Sequence, residues 1–187
     1  MAASTFEIAS MLVQARDQVR VQLDDMRVVT IRRILPSDLD ALRTFFTALS
    51  HATLRFRFHS SIKELSEHLL RAFTMVNHHA HVAFVAETDE RAVDQPTTIV
   101  AEARYVRDAD SQSAEFALVV ADNWRRIGLG TTLTRILAQR ARIAGVLRLC
   151  GDVLEDNKAM RGLAHALGAR LSRGIGFGQT LRLSLKA

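Results

Sequence analysis

Two periods of apolar residues run through this chain, and they separate predicted strands from predicted helices. Alternation with a period of two is typical of a strand with one buried face, whereas apolar residues three and four positions apart share one face of a helix. The pattern predicts a strand, two helices, a three-strand antiparallel meander, a helix, a strand, a helix and a last pair of strands. The strands are expected at residues 27–34, 82–87, 99–107, 115–120, 146–153, 169–172 and 179–185.

Capping residues mark where the first two predicted helices begin. Ser37 with Asp40, and Ser61 with Glu64, have the spacing of a capping box in front of an apolar stripe. The segment between these helices, residues 50–58, predicts only a connector with two buried phenylalanines. Two helices are therefore expected between the first and second strands.

The region before the first strand carries a ragged apolar stripe, and residues 4–24 predict an additional helix. That helix packs on the domain edge, joins a homodimer interface or stays a loosely attached leader. The predicted organisation is an N-terminal helical extension, residues 1–26, followed by one domain, residues 27–187. The predicted fold class is α/β (α+β), with a mixed, mostly antiparallel central sheet of about six or seven strands flanked by helices.

One stretch, residues 114–142, combines an apolar strand, a glycine-bearing turn and a helix. The amide groups of such a turn and the positive end of the helix dipole both point at an anion, and Arg125 and Arg126 add positive charge. Gly128 and Gly130 allow close approach of the backbone to a ligand. The turn is neither a Walker A loop nor a dinucleotide fingerprint, because no Lys-Ser/Thr pair follows and Leu133 takes the place of a third glycine. The alternative is an arginine-rich helix entry without a ligand.

Composition narrows the classes of partner. The chain has 187 residues, a net charge of +5 and a pI of about 10.3, but its arginines are scattered and not interleaved with aromatics, so nucleic acid is not an expected partner. No apolar run approaches the roughly 20 residues of a membrane helix. Cys150 is the single cysteine, which excludes a disulfide within the chain and favours a cytoplasmic location. His78, His79 and His81 lie near no carboxylate at ligand spacing, so no metal is expected.

The spacing Arg-x-x-Gly-x-Gly at residues 125, 128 and 130 resembles the acyl-CoA signature of GCN5-related N-acetyltransferases, the GNAT family. The predicted order of elements over residues 27–185 is also similar to the GNAT fold. The resemblance implies that acetyl-CoA is the acyl donor, that the turn holds its pyrophosphate and that the preceding strand bonds its pantetheine. The cofactor-binding residues it implies are Leu118, Val119, Val120, Arg125, Arg126, Ile127, Gly128, Leu129, Gly130, Thr131 and Asn157.

Three further segments resemble bacterial protein lysine acetyltransferases of the Pat type. Residues 49–58 are similar to their Leu-Ser-x-x-Ser-x-Tyr-x-Arg-Phe segment, with Thr53 and Arg55 in place of the usual Ser and Tyr. Residues 114–117 match their fourth-strand motif, and residues 154–160 resemble their Asn-x-x-Met helix entry. The resemblance implies that the acceptor is a protein lysine.

Glu115 is the candidate catalytic residue because it begins the central strand, where this fold opens to admit a thioester. A carboxylate there can take the proton from an amine, and partial burial would strengthen it as a base. The alternative is a structural glutamate paired with Arg104. The resemblance also places the catalytic glutamate at this position. The Val119 amide is expected to polarise the thioester carbonyl, whereas Ala164 occupies the position of the family's general-acid tyrosine and leaves no evident general acid.

The expected function is thus direct acetyl transfer from acetyl-CoA to a primary amine, with a protein lysine as the expected acceptor. Two alternatives remain: acetylation of a small amine such as a polyamine or an antibiotic, and a non-catalytic acyl-CoA-binding module that regulates a partner. Acceptor choice is expected to depend on residues 50–61 and 173–178.

Overall fold

The computed structural model describes residues 18–88, 98–107, 112–173 and 180–187, excepting the side chains of 180–183. Within them, eight strands form one sheet and five α-helices flank it. The strands are β1 (Gln18–Gln22), β2 (Val28–Arg33), β3 (His81–Thr88), β4 (Ile99–Arg107), β5 (Ser113–Val120), β6 (Arg148–Leu154), β7 (Arg170–Arg173) and β8 (Thr180–Lys186). The α-helices are α1 (Leu39–Thr47), α2 (His51–Phe58), α3 (Glu67–Thr74), α4 (Leu129–Ile143) and α5 (Lys158–Ala166), and short 3-10 helices cover Pro36–Asp38 and Asp122–Trp124.

The strands follow the order β1-β2-β3-β4-β5-β6-β8-β7 across the sheet. Every neighbouring pair is antiparallel except β5 and β6, which run parallel. The predicted mixed, mostly antiparallel sheet and the β3-β4-β5 meander are therefore confirmed. Each of the seven predicted strands lies within two residues of its predicted bounds.

Helices cover both faces of the sheet and bury separate sets of strand residues. Helices α1, α2 and α3 pack on one face, against Ala83, Val85, Ile99 and Val119. Helix α4 packs on the other face, where its buried stripe meets alternate residues of the central strands. The residues buried between α4 and the sheet include Leu133, Ile136, Leu137, Phe84, Ala101, Ala103, Tyr105 and Phe116.

The predicted N-terminal helix is wrong over its last part. Residues 18–22 form β1, which pairs with β2 along its length. Val19 and Leu23 are 5% exposed and belong to the core. Residues 4–17 lie outside the described residues. The predicted boundary at residue 26 therefore leaves a strand of the sheet outside the domain.

The predicted helix starts at Ser37 and Ser61 are also wrong. Ser37 lies inside the 3-10 helix Pro36–Asp38, so α1 begins only at Leu39. Helix α3 begins after Ser66, whose hydroxyl accepts a hydrogen bond from the Leu69 amide at 3.3 Å. Both capping-box patterns occur in the chain, but neither serine caps a helix.

The predicted connector at residues 50–58 is instead the helix α2. Ser50 caps it by accepting a hydrogen bond from the Thr53 amide, and Thr53 and Leu54 are its buried residues. Phe56 and Phe58 are half-buried. Three helices thus separate β2 from β3. Within the described ranges, no helix is both long and apolar enough to cross a membrane.

Candidate functional site

A cleft of about 1120 Å³ opens between β5 and β6 and is bounded by α2, the start of α4 and α5. The two parallel strands are paired only at their first residues, and the last pair in register is Glu115 with Cys150. Beyond that pair β5 continues to Val120 without β6 beside it. This leaves a stretch of strand edge whose amide and carbonyl groups are available to an extended ligand.

Gly151 holds the two strands close at the point where they separate. A Cβ atom on Gly151 would lie 2.7 Å from the backbone carbonyl oxygen of Phe116, a distance that real Cβ contacts do not show. Only glycine therefore permits this approach of β6 to β5. The fork between the strands begins immediately beyond this contact.

The turn between residues 125 and 130 forms the end of the cleft next to α4. Arg126 and Gly128 have positive φ angles of 62° and 83°. Gly128 is the N-cap residue of α4, so no side-chain oxygen covers the first amides of that helix. Gly130 faces Leu118 and Leu163 at ordinary contact distance, so its missing side chain keeps the space between β5 and α5 open. The first amides of a helix without a capping side chain suit an anion, and Gly128 and Gly130 place this helix start at the cleft.

The turn that joins β1 to β2 supports this loop from outside the cleft. The Asp24 amide donates to the Ile127 carbonyl at 3.3 Å. The Asp24 carboxylate lies 3.0 Å from where a Cβ of Gly128 would be. The guanidinium of Arg27 lies 4.0 Å from the centre of the Trp124 ring and donates to the Asn123 carbonyl at 3.1 Å. The turn between the first two strands thus supports the turn at residues 125–130.

Arg125 lines the cleft, and its guanidinium also contacts other residues of the protein. Its guanidinium forms an ion pair with Asp122 at 3.2 Å and donates to the Thr53 hydroxyl at 2.5 Å and the Val120 carbonyl at 3.3 Å. Asp122 also accepts hydrogen bonds from Ser50 and Thr53. Desolvation acts to raise the pKa of Asp122, but the hydrogen bonds from Thr53 and Ser50 outweigh it and lower that pKa. Arg125 therefore ties the turn to the start of α2.

Arg126 and Asn157 are the polar groups of the prediction that face the cleft more freely. Arg126 is exposed and has no ion-pair partner in the part of the chain that the structure describes. The Asn157 side chain accepts a hydrogen bond from the Met160 amide at 3.0 Å and so caps α5. Both residues line the cleft.

Glu115 lies in the cleft wall at the fork. It is exposed, so the predicted partial burial is wrong. The predicted alternative, pairing with Arg104, is also not observed, because Arg104 forms its ion pair with the buried Glu102. The side chain of Glu115 projects on the α2 side of the sheet, since it lies four residues before Val119, which packs against the helices on that side.

Most of the predicted site residues meet at this cleft. Ile127 and Leu129 do not line it, because Leu129 is 1% exposed in the core and Ile127 packs against the same core. The lining residues from the prediction are Glu115, Leu118, Val119, Val120, Arg125, Arg126, Gly128, Gly130, Thr131 and Asn157. The lining residues that the prediction missed include Thr53, Arg57, His59, Asp122 and Asp152. Only the Pat-like segment at residues 49–58 carried a signal for the first two of these.

No tyrosine reaches the cleft from α5. Ala164 is fully buried in the core, and Tyr105 is fully buried on the opposite face of the sheet. Burial raises the pKa of the Tyr105 phenol, which disfavours any acid–base role for it near neutral pH. Across the described residues, no group of three metal-ligating side chains is assembled.

The strand fork, the glycine turn and the open cleft fit an acyl-CoA-dependent N-acyltransferase. Residues 45–169 match the profile of the Acetyltransferase (GNAT) family, and this chain belongs to that family. Acetyl-CoA is the acyl donor of its acetyltransferases.

Individual relatives agree with this assignment. The chain is 36% identical over 146 residues to Acetyltransferase PA5475 of Pseudomonas aeruginosa, covering 78% of this chain and 77% of the relative. It is 33% identical over 140 residues to Acetyltransferase Pat of Mycolicibacterium smegmatis, covering 74% of this chain and 40% of that longer protein. The GNAT domain of PAT from S. lividans superposes with a TM-score of 0.84 at 24% identity, covering 92% of this chain and 98% of that domain, and it shows the same fold.

Proposed function

We propose that the chain transfers an acetyl group directly from acetyl-CoA to the ε-amino group of a protein lysine, with Glu115 as the general base. The observation that carries this proposal is the position of Glu115, which is exposed in the cleft at the last pair before β5 and β6 separate. An extended acyl donor lying along the free edge of β5 brings its thioester to the level of this carboxylate.

The donor would be held by two parts of the cleft. Its pyrophosphate fits the first amides of α4, next to Gly128 and Gly130 in the cleft lining, where Arg126 supplies positive charge. Its pantetheine arm fits the unpaired edge of β5 from Leu118 to Val120. Asn157, at the start of α5, lines the opposite wall.

The reaction requires that the acceptor amine lose a proton before it attacks. A lysine amine with a pKa near 10.4 is neutral only about once in 10³ molecules at pH 7, so a base near the attack site lowers the barrier. The neutral nitrogen then forms a bond to the thioester carbonyl carbon, and the carbon–sulfur bond breaks. The proton taken by Glu115 leaves through solvent. The attacking nitrogen loses a second proton as the amide forms, and that proton reaches the departing thiolate through water, because no tyrosine lines the cleft.

The charge of the cleft favours a protein lysine over a free polycation. Its lining includes four cations, Arg57, Arg125, Arg126 and Lys158, against three carboxylates, Glu115, Asp122 and Asp152. A polyamine carries several ammonium groups and would be repelled by such a lining. A lysine side chain presents a single charge at the end of an apolar stem. The identity to the Pat acetyltransferase supports the same choice.

The test is Glu115→Gln, with acetyl-CoA affinity and turnover measured separately. We expect kcat/KM for acetyl transfer to fall by roughly 10²- to 10⁴-fold, the usual contribution of a general base, while the Kd for acetyl-CoA stays unchanged. Glu64→Gln is the matched control, because Glu64 is exposed and does not line the cleft. Equal loss of affinity and turnover would show that Glu115 is structural.

The acceptor is tested with labelled acetyl-CoA. The protein is incubated with a host lysate and, in parallel, with a polyamine and an aminoglycoside, and modified lysines are mapped by mass spectrometry. Acetylated lysines that disappear with Glu115→Gln support the proposal. Transfer confined to the small amines would overturn the choice of acceptor, and binding of acetyl-CoA without any transfer would overturn catalysis itself.

A further inference from the structure

The helical cover on the α2 side of the sheet ends one row before the end of β4. Alternate residues of a strand share a face, and on this face Glu102 is fully buried, Arg104 is 5% exposed and Val106 is 44% exposed. Valine is among the residues most often found inside proteins. Val106 nevertheless belongs to neither of the two cores that the described residues form. It is an apolar side chain with a large part of its surface open to contact.

Val106 lies directly opposite Glu115, the proposed general base. The two residues are partners in the antiparallel register of β4 and β5. Directly opposite residues of such a pair project on the same face, with their Cβ atoms about 4.5–5.5 Å apart. The side chain of Glu115 is exposed as well. An exposed apolar surface and an exposed carboxylate therefore stand side by side.

The neighbour on the other side of Val106 carries no charge near neutral pH. His81 on β3 is the second register partner of Val106, and it is half-buried. Its Nε2 lies 3.1 Å from Arg104 Nη1. Burial, and then Arg104, lower the pKa of His81, so the imidazole is neutral at pH 7. The row formed by His81, Val106 and Glu115 thus offers one apolar contact and one carboxylate, without a cation of its own that would repel an amine.

The donor and the acceptor approach Glu115 from opposite sides of β5. The proposed donor lies along the edge of β5 that faces β6, from Leu118 to Val120 and on to the turn before α4. Strand β5 stands between β6 and β4 in the sheet. Val106 is on β4, so its exposed surface lies on the side of β5 that the donor leaves free.

We propose that Val106 is the contact surface for the methylene stem of the acceptor lysine, and that it is a specificity-determining residue of the reaction. This inference rests on the proposed function. The stem of a lysine packs along apolar surface while its nitrogen stays with a polar partner. A stem that lies across Val106 brings its nitrogen to the carboxylate on the neighbouring strand, where the proton is removed. An amine without a stem makes no such contact.

The test measures binding to two conjugates of coenzyme A, so that the result does not depend on turnover. In the lysine conjugate, the coenzyme sulfur is joined through an acetyl group to the ε-nitrogen of a blocked lysine. The methylamine conjugate has the same linker but only a methyl group on the nitrogen. We expect Val106→Thr to weaken the lysine conjugate by about three- to tenfold, the effect of losing one or two buried methyl contacts. The Kd values of the methylamine conjugate and of acetyl-CoA should not change.

Two further variants separate the apolar contact from a general effect on the protein. Val106→Ile keeps a β-branched apolar side chain and should bind the lysine conjugate at least as tightly as the wild type. Leu147→Thr is the matched control, because Leu147 is 50% exposed, precedes β6 and does not line the cleft. Threonine and isoleucine both favour strands, so Tm should stay close to that of the wild type in both Val106 variants.

The kinetic counterpart uses blocked peptides that contain one lysine as acceptors. Val106→Thr should raise KM for the peptide by the same three- to tenfold factor, while kcat changes by less than about twofold, because the contact with the stem is present before and during the transfer.

Four results would overturn the inference. The lysine conjugate could bind Val106→Thr as tightly as the wild type, or bind the wild type no more tightly than the methylamine conjugate does. Equal weakening of both conjugates by Val106→Thr would show a structural effect. A conjugate of 1,4-diaminobutane that binds more tightly than the lysine conjugate would assign the contact to a small amine.

The proposed function fails on a different observation. Full activity of Glu115→Gln would overturn the role of the base even if binding of the lysine conjugate depended on Val106. A collapse of turnover in Glu115→Gln, with Val106→Thr indistinguishable from the wild type, would overturn only the role of Val106.

Discussion

Replacing Gly151 with alanine tests whether the strand fork depends on close backbone contact. The new Cβ would lie 2.7 Å from the Phe116 carbonyl oxygen, and ordinary contacts begin near 3.4 Å, so β6 must move away from β5. The group it meets is backbone, which cannot turn aside as a side chain could. The displaced contact lies one residue beyond Glu115 and Cys150, which are the last pair of β5 and β6 in register.

The expected loss is about 1–3 kcal/mol of folding free energy, the usual cost of overpacking a well-packed site. For a chain of this size each kcal/mol lowers Tm by roughly 2–4 °C. Gly162→Ala is the stability control, because Gly162 is exposed inside α5 and a Cβ added there would have no neighbour within 4 Å. That change should stabilise by about 0.5–1 kcal/mol, since alanine is the better helix former.

The assay is thermal unfolding together with acetyl-transfer kinetics. Gly151→Ala should lose stability and, on the proposed function, also kcat, because the shift would displace the Glu115 carboxylate from the acyl donor. Gly162→Ala should shift Tm in the opposite direction. Equal Tm values for Gly151→Ala and the wild type would refute the close approach of the two strands.

Two further predictions concern the dependence of stability on pH. The lowered pKa of Asp122 contributes stability that is fully present above the ordinary carboxyl pKa near 3.8 and is lost as pH falls through the lowered pKa. In thermal unfolding, Asp122→Asn should therefore destabilise the protein more at pH 5 than at pH 3. Equal losses of stability at the two pH values would contradict this prediction. Burial, and then Arg104, lower the pKa of His81, so the unfolded chain binds the proton more readily and stability should fall as pH decreases below about 6.5. His81→Gln should flatten this decline when the free energy of unfolding is measured in urea at several pH values. An unchanged dependence of that free energy on pH would contradict the prediction.

The parts of the fold that the sequence predicted are those governed by local pattern. Seven strands and the helix after Gly130 have clear periods and short polar links, and each was found near its predicted bounds. β1 was missed because Val19 fits both a helical stripe with earlier residues and the alternation of residues 18–22. Whether this segment forms a helix or a strand depends on its pairing with β2, and the propensities of its residues carry no information about that pairing.

The features of the site that the sequence did not predict depend on contacts between distant residues. Arg125 was predicted to add positive charge at the turn, but its bonds to Asp122 and Thr53 were not predicted. Thr53 is 72 residues away in sequence, so no local pattern reveals the bond. The exposure of Glu115 likewise follows from where β6 leaves β5. The glycine turn, in contrast, is a local backbone feature and was predicted correctly.

The bracing of the turn at residues 125–130 by Asp24 and Arg27 has a practical consequence for how this domain is divided. A shortened version that begins at residue 27 would lack β1, the Asp24 contact with Gly128 and the hydrogen bond to Ile127. Such a fragment would retain every residue of the Arg-x-x-Gly-x-Gly motif, but the two glycines would have fewer supporting contacts. Residues that precede the glycine motif by about a hundred positions therefore help to hold one end of the cleft in place.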